Sequence, residues 1–449
     1  MDAVGHTGKS IETRENLDIA ALRAVLSVMA SIHIVGAGMS GLACAVRLAG
    51  DQQHNITLYD SAGHAGGRCR SYHDDRLECT IDNGNHLLLS GNTAVRDYLN
   101  VIGASDELVG PDRALFPFVD LANEQRWTVE VDQGRWPGWL LNAERRIPGT
   151  GLWEYVKAIK LLAAGPDLAL RDVIDTKSQL FRCFWEPFAV GVLNTPAEDG
   201  AAALLASVLR ETFGRGGAYC MPRMAKTGLS ETFVTPALAY TKHHGVTFTP
   251  NSRLREIEFE GTRAKTLCFT NRLIELKVND TIIMAVPPHV ARTLLPGVKT
   301  PTETHPIVNA HFRLEQKIAS PDNAGLIGVI NGTAHWIFFR EDIISVTVSA
   351  ANGLSELTAE KIADLVWTDI RRAVAGVPKK IPTRHRIVKE KRATFAQTPA
   401  SIRERPATRS KYENIYLAGD WTDTGLPATI EGSIRSGNHA AAAINGANS

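Results

Sequence analysis

The residues best suited to chemistry lie near the start of the chain, in Gly36-Ala37-Gly38-Met39-Ser40-Gly41, a G-x-G-x-x-G turn behind the apolar run Ile32, Ile34, Val35. In such a turn the first glycine makes the tight bend and the second lets backbone N–H groups approach a pyrophosphate. The third lets the following helix pack on the strand, so that the helix N-terminus faces the anion. Leu42, Ala45, Val46 and Ala49 continue at helical spacing, and the next apolar run, Ile56 to Tyr59, ends on Asp60. Asp60 follows Gly41 by nineteen residues, the spacing of a carboxylate that accepts hydrogen bonds from a ribose. Strand, glycines, helix, strand and acid in this order point to a dinucleotide. The alternative is a plain βαβ unit whose glycines serve only packing.

Just beyond, Gly66-Gly67-Arg68 supplies a second flexible turn carrying a guanidinium that could neutralise a pyrophosphate held on the first loop. This favours FAD over NAD. With these motifs the chain resembles the superfamily of flavin amine oxidases and carotenoid desaturases, and the resemblance continues in Asp82-Asn83-Gly84-Asn85-His86 and Ile415-Tyr416-Leu417-Ala418-Gly419-Asp420. It implies that Gly84, Asn85 and His86 run along the isoalloxazine, that Gly419 and Asp420 hold the ribityl chain, and that the backbone of Leu254 lies against the adenine. It also implies that the strand Thr281 to Val286, with Ala285, returns to the flavin domain, and that Thr429, Ile430 and Glu431 open the last helix toward the cofactor. A capped amphipathic C-terminal helix would fit that last stretch without any flavin.

One branch of the superfamily is resembled in particular. Phe184-Trp185-Glu186-Pro187-Phe188, Leu193-Asn194-Thr195-Pro196, Ala202 to Arg210 and Lys391-Arg392-Ala393-Thr394-Phe395 are similar to the squalene-associated, FAD-dependent desaturase-like enzymes, the hydroxysqualene dehydroxylases of hopanoid-producing bacteria. The resemblance implies an apolar tunnel for a polyprenyl alcohol, hydroxysqualene, whose allylic hydroxyl leaves as water before reduced FAD delivers hydride to the cation. The leaving hydroxyl needs an acid of raised pKa, for which Glu186, between Trp185 and Pro187, and His86 are the candidates. No second nucleotide fingerprint is visible, so the electrons are expected from a separate donor or reductase. Three readings compete: a phytoene-type desaturase running hydride the other way, an amine oxidase with Trp421 in an aromatic cage, and a non-catalytic flavin- or lipid-binding protein.

The elements that position these residues follow from length and pattern. A chain of 449 residues is expected to divide into two or three substructures. With 44% hydrophobic and 22% charged residues and a formal net charge of +1, composition argues against nucleic acid as a partner and against disorder. The six cysteines show no C-x-x-C or metal spacing and read as reduced cytosolic thiols. The expected class is α/β, α+β overall: a Rossmann-like FAD-binding domain from residues 31–110, 231–300 and 385–449, with a discontinuous sheet-and-helix substrate domain inserted as 111–230 and 301–384. Within the insertion, Ser178 to Phe188 and Gly200 to Phe213 read as helices, and Ile307 to Leu314, Leu326 to Ile330, Ala334 to Phe339 and Ser345 to Ser349 as an antiparallel floor. Residues 1–30 read as an extension.

Residues 136–162 bear on location. Trp136, Trp139, Leu152, Trp153, Tyr155, Val156, Ile159 and Leu162 stand beside Lys157 and Lys160, a composition shared by core helices and by helices lying at a membrane surface. The protein is expected in the cytoplasm, and at the cytoplasmic face of the inner membrane if this stretch docks there.

Overall fold

The computed structural model describes residues 30–51 and 53–446, so the N-terminal extension read from the sequence lies outside the described residues apart from Ala30. Among them, a five-stranded parallel sheet runs in the order Thr247–Thr249, Asn55–Tyr59, Ser31–Val35, Thr281–Met284, Ile415–Leu417. Ile32 and Ile34, on the central strand, are buried, as a strand covered on both faces requires. Helix Met39–Ala49 follows it, and only Arg47 of that helix reaches solvent. Helix Ile430–Asn445 lies against it so closely that a Cβ on Gly437 would stand 2.3 Å from the Ser40 carbonyl oxygen.

The second layer is a seven-stranded sheet ordered His385–Phe395, Thr304–Arg313, Ile343–Val348, Trp336–Arg340, Leu326–Ile330, Ala114–Asp120, Arg126–Val131. It departs from the expected floor in two respects. Leu326–Ile330 pairs with Ala114–Asp120 in parallel, so the sheet is mixed. His385–Phe395, grouped above with the FAD-binding segments, is instead the edge strand of this sheet, paired to Thr304–Arg313. The strand-rich pattern of 385–395 is the same in either sheet, and only long-range pairing decides between them.

The helical part of the insertion holds Glu186–Leu193 and Ala202–Glu211 over a core that includes Leu170, Phe181, Leu193 and Leu205. Two π turns occur among the described helices, Phe181–Trp185 in the insertion and Ser230–Val234 at its junction with the FAD-binding segment 231–300, and each ends two residues before a proline, Pro187 and Pro236. A helical proline has no N–H to give the carbonyl four residues back and its ring crowds that carbonyl, here of Cys183 and of Thr232. Widening to a π turn relieves the crowding without ending the helix.

Candidate active site

The glycine turn is built around backbone contacts. Gly36 has φ +107°, and a Cβ there would lie 2.2 Å from the Ala285 carbonyl oxygen, at the end of the neighbouring strand. A Cβ on Gly41 would lie 1.9 Å from the Gly36 oxygen, so this glycine seats the helix on the turn. Asp60 accepts hydrogen bonds from Ala37 N–H and Ala62 N–H, both 2.8 Å, one on each carboxylate oxygen, and keeps lone pairs free on the cavity side. The second turn is tied to the first by Gly66 N–H donating to the Ala37 carbonyl at 2.8 Å and is braced by Arg70, which donates to the Gly67 carbonyl at 2.9 Å.

These loops border a cavity of about 1020 Å³. Every cofactor-binding residue named from the sequence lines it except Gly41, which lies behind the turn. Arg68 points away from the glycine loop: its guanidinium donates to the Asp420 carboxylate at 2.6 Å and to the Ala393 carbonyl. The segment from Asp82 to His86 is anchored to the seven-stranded sheet. Arg340 pairs with Asp82 at 2.7 Å, Asn309 donates to the Asn83 carbonyl at 3.3 Å, and Asn85 donates to Thr347 at 3.1 Å. Thr429 caps the C-terminal helix by accepting from Gly432 N–H at 3.1 Å. Glu431 turns its carboxylate onto Ala94 N–H and Val95 N–H, at 3.0 and 2.9 Å, and onto Arg435 at 3.2 Å. Arg405, missed in the sequence, is buried behind Asp420 and donates to the carbonyls of Asp420, Thr422 and Leu426.

The two proposed acids fare differently. Glu186 is exposed and is not part of the cavity wall. Phe184 and Phe188, two residues to either side, occupy that wall, and on a helix residues two apart face different ways. Partial burial and the Glu198 carboxylate raise the Glu186 carboxyl, yet the group stands outside the site. His86 does line the cavity; burial holds its imidazole down to about 4, with Asp82 pulling it up and Arg68 adding to the depression. It is therefore neutral at neutral pH and suited to bracing rather than to giving up an imidazolium proton. Trp421 borders the cavity but is almost wholly buried, its indole N–H held on the Val286 carbonyl at 2.8 Å.

Only part of the aromatic wall is legible in the sequence, where Phe184 and Phe188 stand in one short stretch while Phe213 and Phe116 are distant from it. Phe184 and Phe188 stack with centroids 5.7 Å apart, Phe213 meets them edge-on at 6.0 and 5.4 Å, and Phe116 lies 5.8 Å from Phe213. Trp336 and Phe338 from the sheet border the same cavity. The i, i+4 spacing of Phe184 and Phe188 is the one local signal that could have found part of it.

A dinucleotide with a flavin fits these residues. A Cβ on Gly38 would meet no protein atom within 4 Å, so the backbone at the helix N-terminus faces clear space in the cavity, as close approach of a pyrophosphate requires. Asp60, Asp420 and the capped N-terminus of the C-terminal helix stand around the same space.

Comparison with known proteins agrees with this reading. The family of flavin containing amine oxidoreductases matches residues 39–445. A hydroxysqualene dehydroxylase of Sinorhizobium fredii is 42% identical over 411 residues, 92% of this chain and 97% of that protein. One of Zymomonas mobilis is 42% identical over 415 residues, covering 92% and 98%. Among solved structures, putrescine oxidase bound to putrescine superposes with a TM-score of 0.69 at 15% identity, over 93% of this chain and 99% of that one, a likeness of fold alone.

Proposed function

This chain belongs to the flavin-containing amine oxidoreductase family, in its hydroxysqualene dehydroxylase branch, and is an FAD-dependent oxidoreductase; we propose that it replaces the allylic hydroxyl of hydroxysqualene with hydrogen, giving squalene for hopanoid synthesis. The observation that carries this reading is the shared cavity, in which the dinucleotide loops and the ring cluster of Phe116, Phe184, Phe188 and Phe213 face one space. A bound, reduced FAD supplies the hydride. The residues do the rest. The rings exclude water and turn π faces toward a carbon that becomes cationic when the hydroxyl leaves. The N-terminus of the C-terminal helix, capped by Thr429, favours negative charge on the group it faces. Asn309, Thr347 and Asn85 hold the cofactor segment against the substrate sheet, which fixes the distance between the two halves of the site. The electrons come from a separate donor.

The substrate is a membrane lipid, and the reading places the protein in the cytoplasm against the inner membrane. Trp136 and Trp153 are each 74% exposed, Leu141 is 65% and Ile159 is 61% exposed, and Arg135, Lys157 and Lys160 accompany them. Indole rings and aliphatic side chains beside cations complement the interface of an anionic bilayer. Among the described residues no helix is long and apolar enough to cross a membrane.

The test is an anaerobic single turnover. The flavoprotein is photoreduced, hydroxysqualene is added, flavin reoxidation is followed by absorbance, and the lipid is identified. Reoxidation with squalene as product supports the proposal. A flavin that stays reduced refutes it and directs the oxidised protein to phytoene-like polyenes and to amines.

A further inference from the structure

At one corner of the cavity helix Glu186–Leu193 meets the seven-stranded sheet. Trp336 lies opposite Thr347 where strands Trp336–Arg340 and Ile343–Val348 pair, and Ser349, two residues past Thr347, extends the same face. All three border the cavity. Trp336 turns its indole N–H toward the helix: a Cβ on Gly191, which also borders the cavity, would stand 3.1 Å from Nε1. Asn194, three residues on, accepts from Ala350 N–H at 2.6 Å and so pins the end of the helix to the residue after Ser349. Trp336 is 8% and Ser349 3% exposed. The backbone N–H of Ser349 is spent on His335 Nδ1 at 3.3 Å, but among the described residues neither the Ser349 hydroxyl nor the Trp336 N–H has a hydrogen-bond partner. Neighbouring polar side chains are engaged: Thr347 donates to Asn309 at 2.8 Å and accepts from Asn85, and Asn194 donates to Thr394 and to the His305 carbonyl, both at 3.0 Å.

Buried polar groups are paired in nearly all native structures, so two unpaired ones on a cavity wall point to a ligand that pairs them. Neither carries charge. Together they offer an N–H donor and a hydroxyl that accepts or donates, the complement of a single alcohol group. Resting on the hydroxysqualene reading, we infer that Trp336 and Ser349 form the subsite for the substrate hydroxyl: the indole N–H donates to the hydroxyl oxygen, and Ser349 Oγ accepts the hydroxyl hydrogen. Gly191 keeps the subsite open, since a side chain there would cover Nε1. Phe188 stands one turn before Gly191 on the helix, so an alcohol held here sets its allylic carbon beside the ring cluster. The hydrocarbon product pairs neither group, which favours its release.

Binding to holoenzyme with oxidised FAD, which has no hydride to give, tests the subsite. The flavin difference spectrum is titrated with hydroxysqualene and, separately, with squalene. Ser349→Ala and Trp336→Phe are each expected to bind the alcohol about three- to tenfold more weakly, the scale of one neutral hydrogen bond, and the two together about ten- to hundredfold. Squalene should bind every variant within about twofold of wild type, because it never used either group. Gly191→Ala should copy Trp336→Phe without lowering the melting temperature, since alanine suits a helix better than glycine, and should add nothing when combined with it. Alcohol affinity within about threefold of wild type in Ser349→Ala with Trp336→Phe overturns the inference, as does an equal loss of squalene affinity. If that combined variant fails to keep FAD, Gly191→Ala decides alone, and alcohol affinity within about twofold of wild type then overturns the subsite. In the photoreduced single turnover, a wild type that makes squalene leaves the proposed function standing when the subsite falls. A wild type that makes none takes both down.

Discussion

Gly36 and Gly38 lie two residues apart on one turn, yet the structure predicts opposite consequences from adding the same methyl group. At Gly36 the backbone sits at φ +107°, and the new Cβ would be 2.2 Å from the oxygen and 2.7 Å from the carbon of the Ala285 carbonyl. The dihedral alone costs about 1–3 kcal/mol for a residue with a Cβ. Making room means shifting the end of strand Thr281–Met284, which adds about 1–3 kcal/mol of overpacking. At roughly 2 °C per kcal/mol for a large domain, Gly36→Ala should lower the melting temperature of the flavin-free protein by about 4–12 °C. Gly38 has φ −73°, which alanine adopts freely, and its Cβ would touch nothing within 4 Å. Reduced freedom of the unfolded chain and a poorer N-cap nearly cancel, so Gly38→Ala should melt within about 2 °C of wild type. Its methyl group enters the space left for the pyrophosphate, however, and losing one charge-assisted N–H contact at about 1.5–3 kcal/mol weakens FAD binding by roughly 10- to 150-fold. Thermal melts of deflavinated protein and titration of flavin fluorescence measure both effects. A Gly38→Ala protein that binds FAD as wild type does would refute the placement of the cofactor on this turn, and a Gly36→Ala protein that melts with wild type would refute the close approach of Gly36 to the Ala285 carbonyl.

Three other perturbations test separate parts of the molecule. Phe213→Leu removes the ring that meets Phe184 and Phe188; at about 0.5–2 kcal/mol per cation–π contact, squalene formation in a single turnover should slow roughly 2- to 30-fold at unchanged FAD content, and an unchanged rate would dismiss the ring as a cation stabiliser. Trp136→Ser combined with Trp153→Ser should abolish co-sedimentation with vesicles containing anionic lipid while leaving the melting temperature in place; retention on the vesicles would remove the membrane contact. His311 is buried with its Nδ1 at 2.8 Å from Ser345, and burial holds its imidazole down to about 4. The unfolded chain takes up a proton near pH 6.5 that the native state refuses, so stability falls as pH drops from 6.5 toward 4. Denaturant midpoints of His311→Gln should lose up to about 1.4 kcal/mol per pH unit of that slope, and a slope equal to wild type would show that His311 is not responsible.

The cofactor end of the site was readable because each of its parts is local. Gly36, Gly38 and Gly41 share one turn, Asp60 ends the very next strand, and Thr429 caps the helix that begins one residue later, so spacing in sequence stands for spacing in space. The same logic misled at Glu186. Its aromatic neighbours in sequence suggested an apolar pocket, but on a helix the rings two positions away face the cavity while the carboxylate faces solvent. Likewise nothing within Leu326–Ile330 announces that its partner strand runs parallel, or within His385–Phe395 that it closes the substrate sheet.

The contacts that join the two halves belong to this unreadable class, and chemistry explains why they are polar. Arg340 reaches Asp82 from 258 residues away, Asn309 reaches Asn83 from 226, Asn85 reaches Thr347 across 262, and Arg435 reaches Glu211 across 224. An apolar cavity placed between two substructures offers little directional contact of its own, since rings and aliphatic groups slide at small cost. Hydrogen bonds and ion pairs at its border set distance and angle, and once made they are costly to leave unpaired. The rim can therefore hold the cofactor segment and the ring cluster in fixed register. On the proposed function, a polar rim that fixes this register beside aromatic rings suits delivery of hydride to a cation.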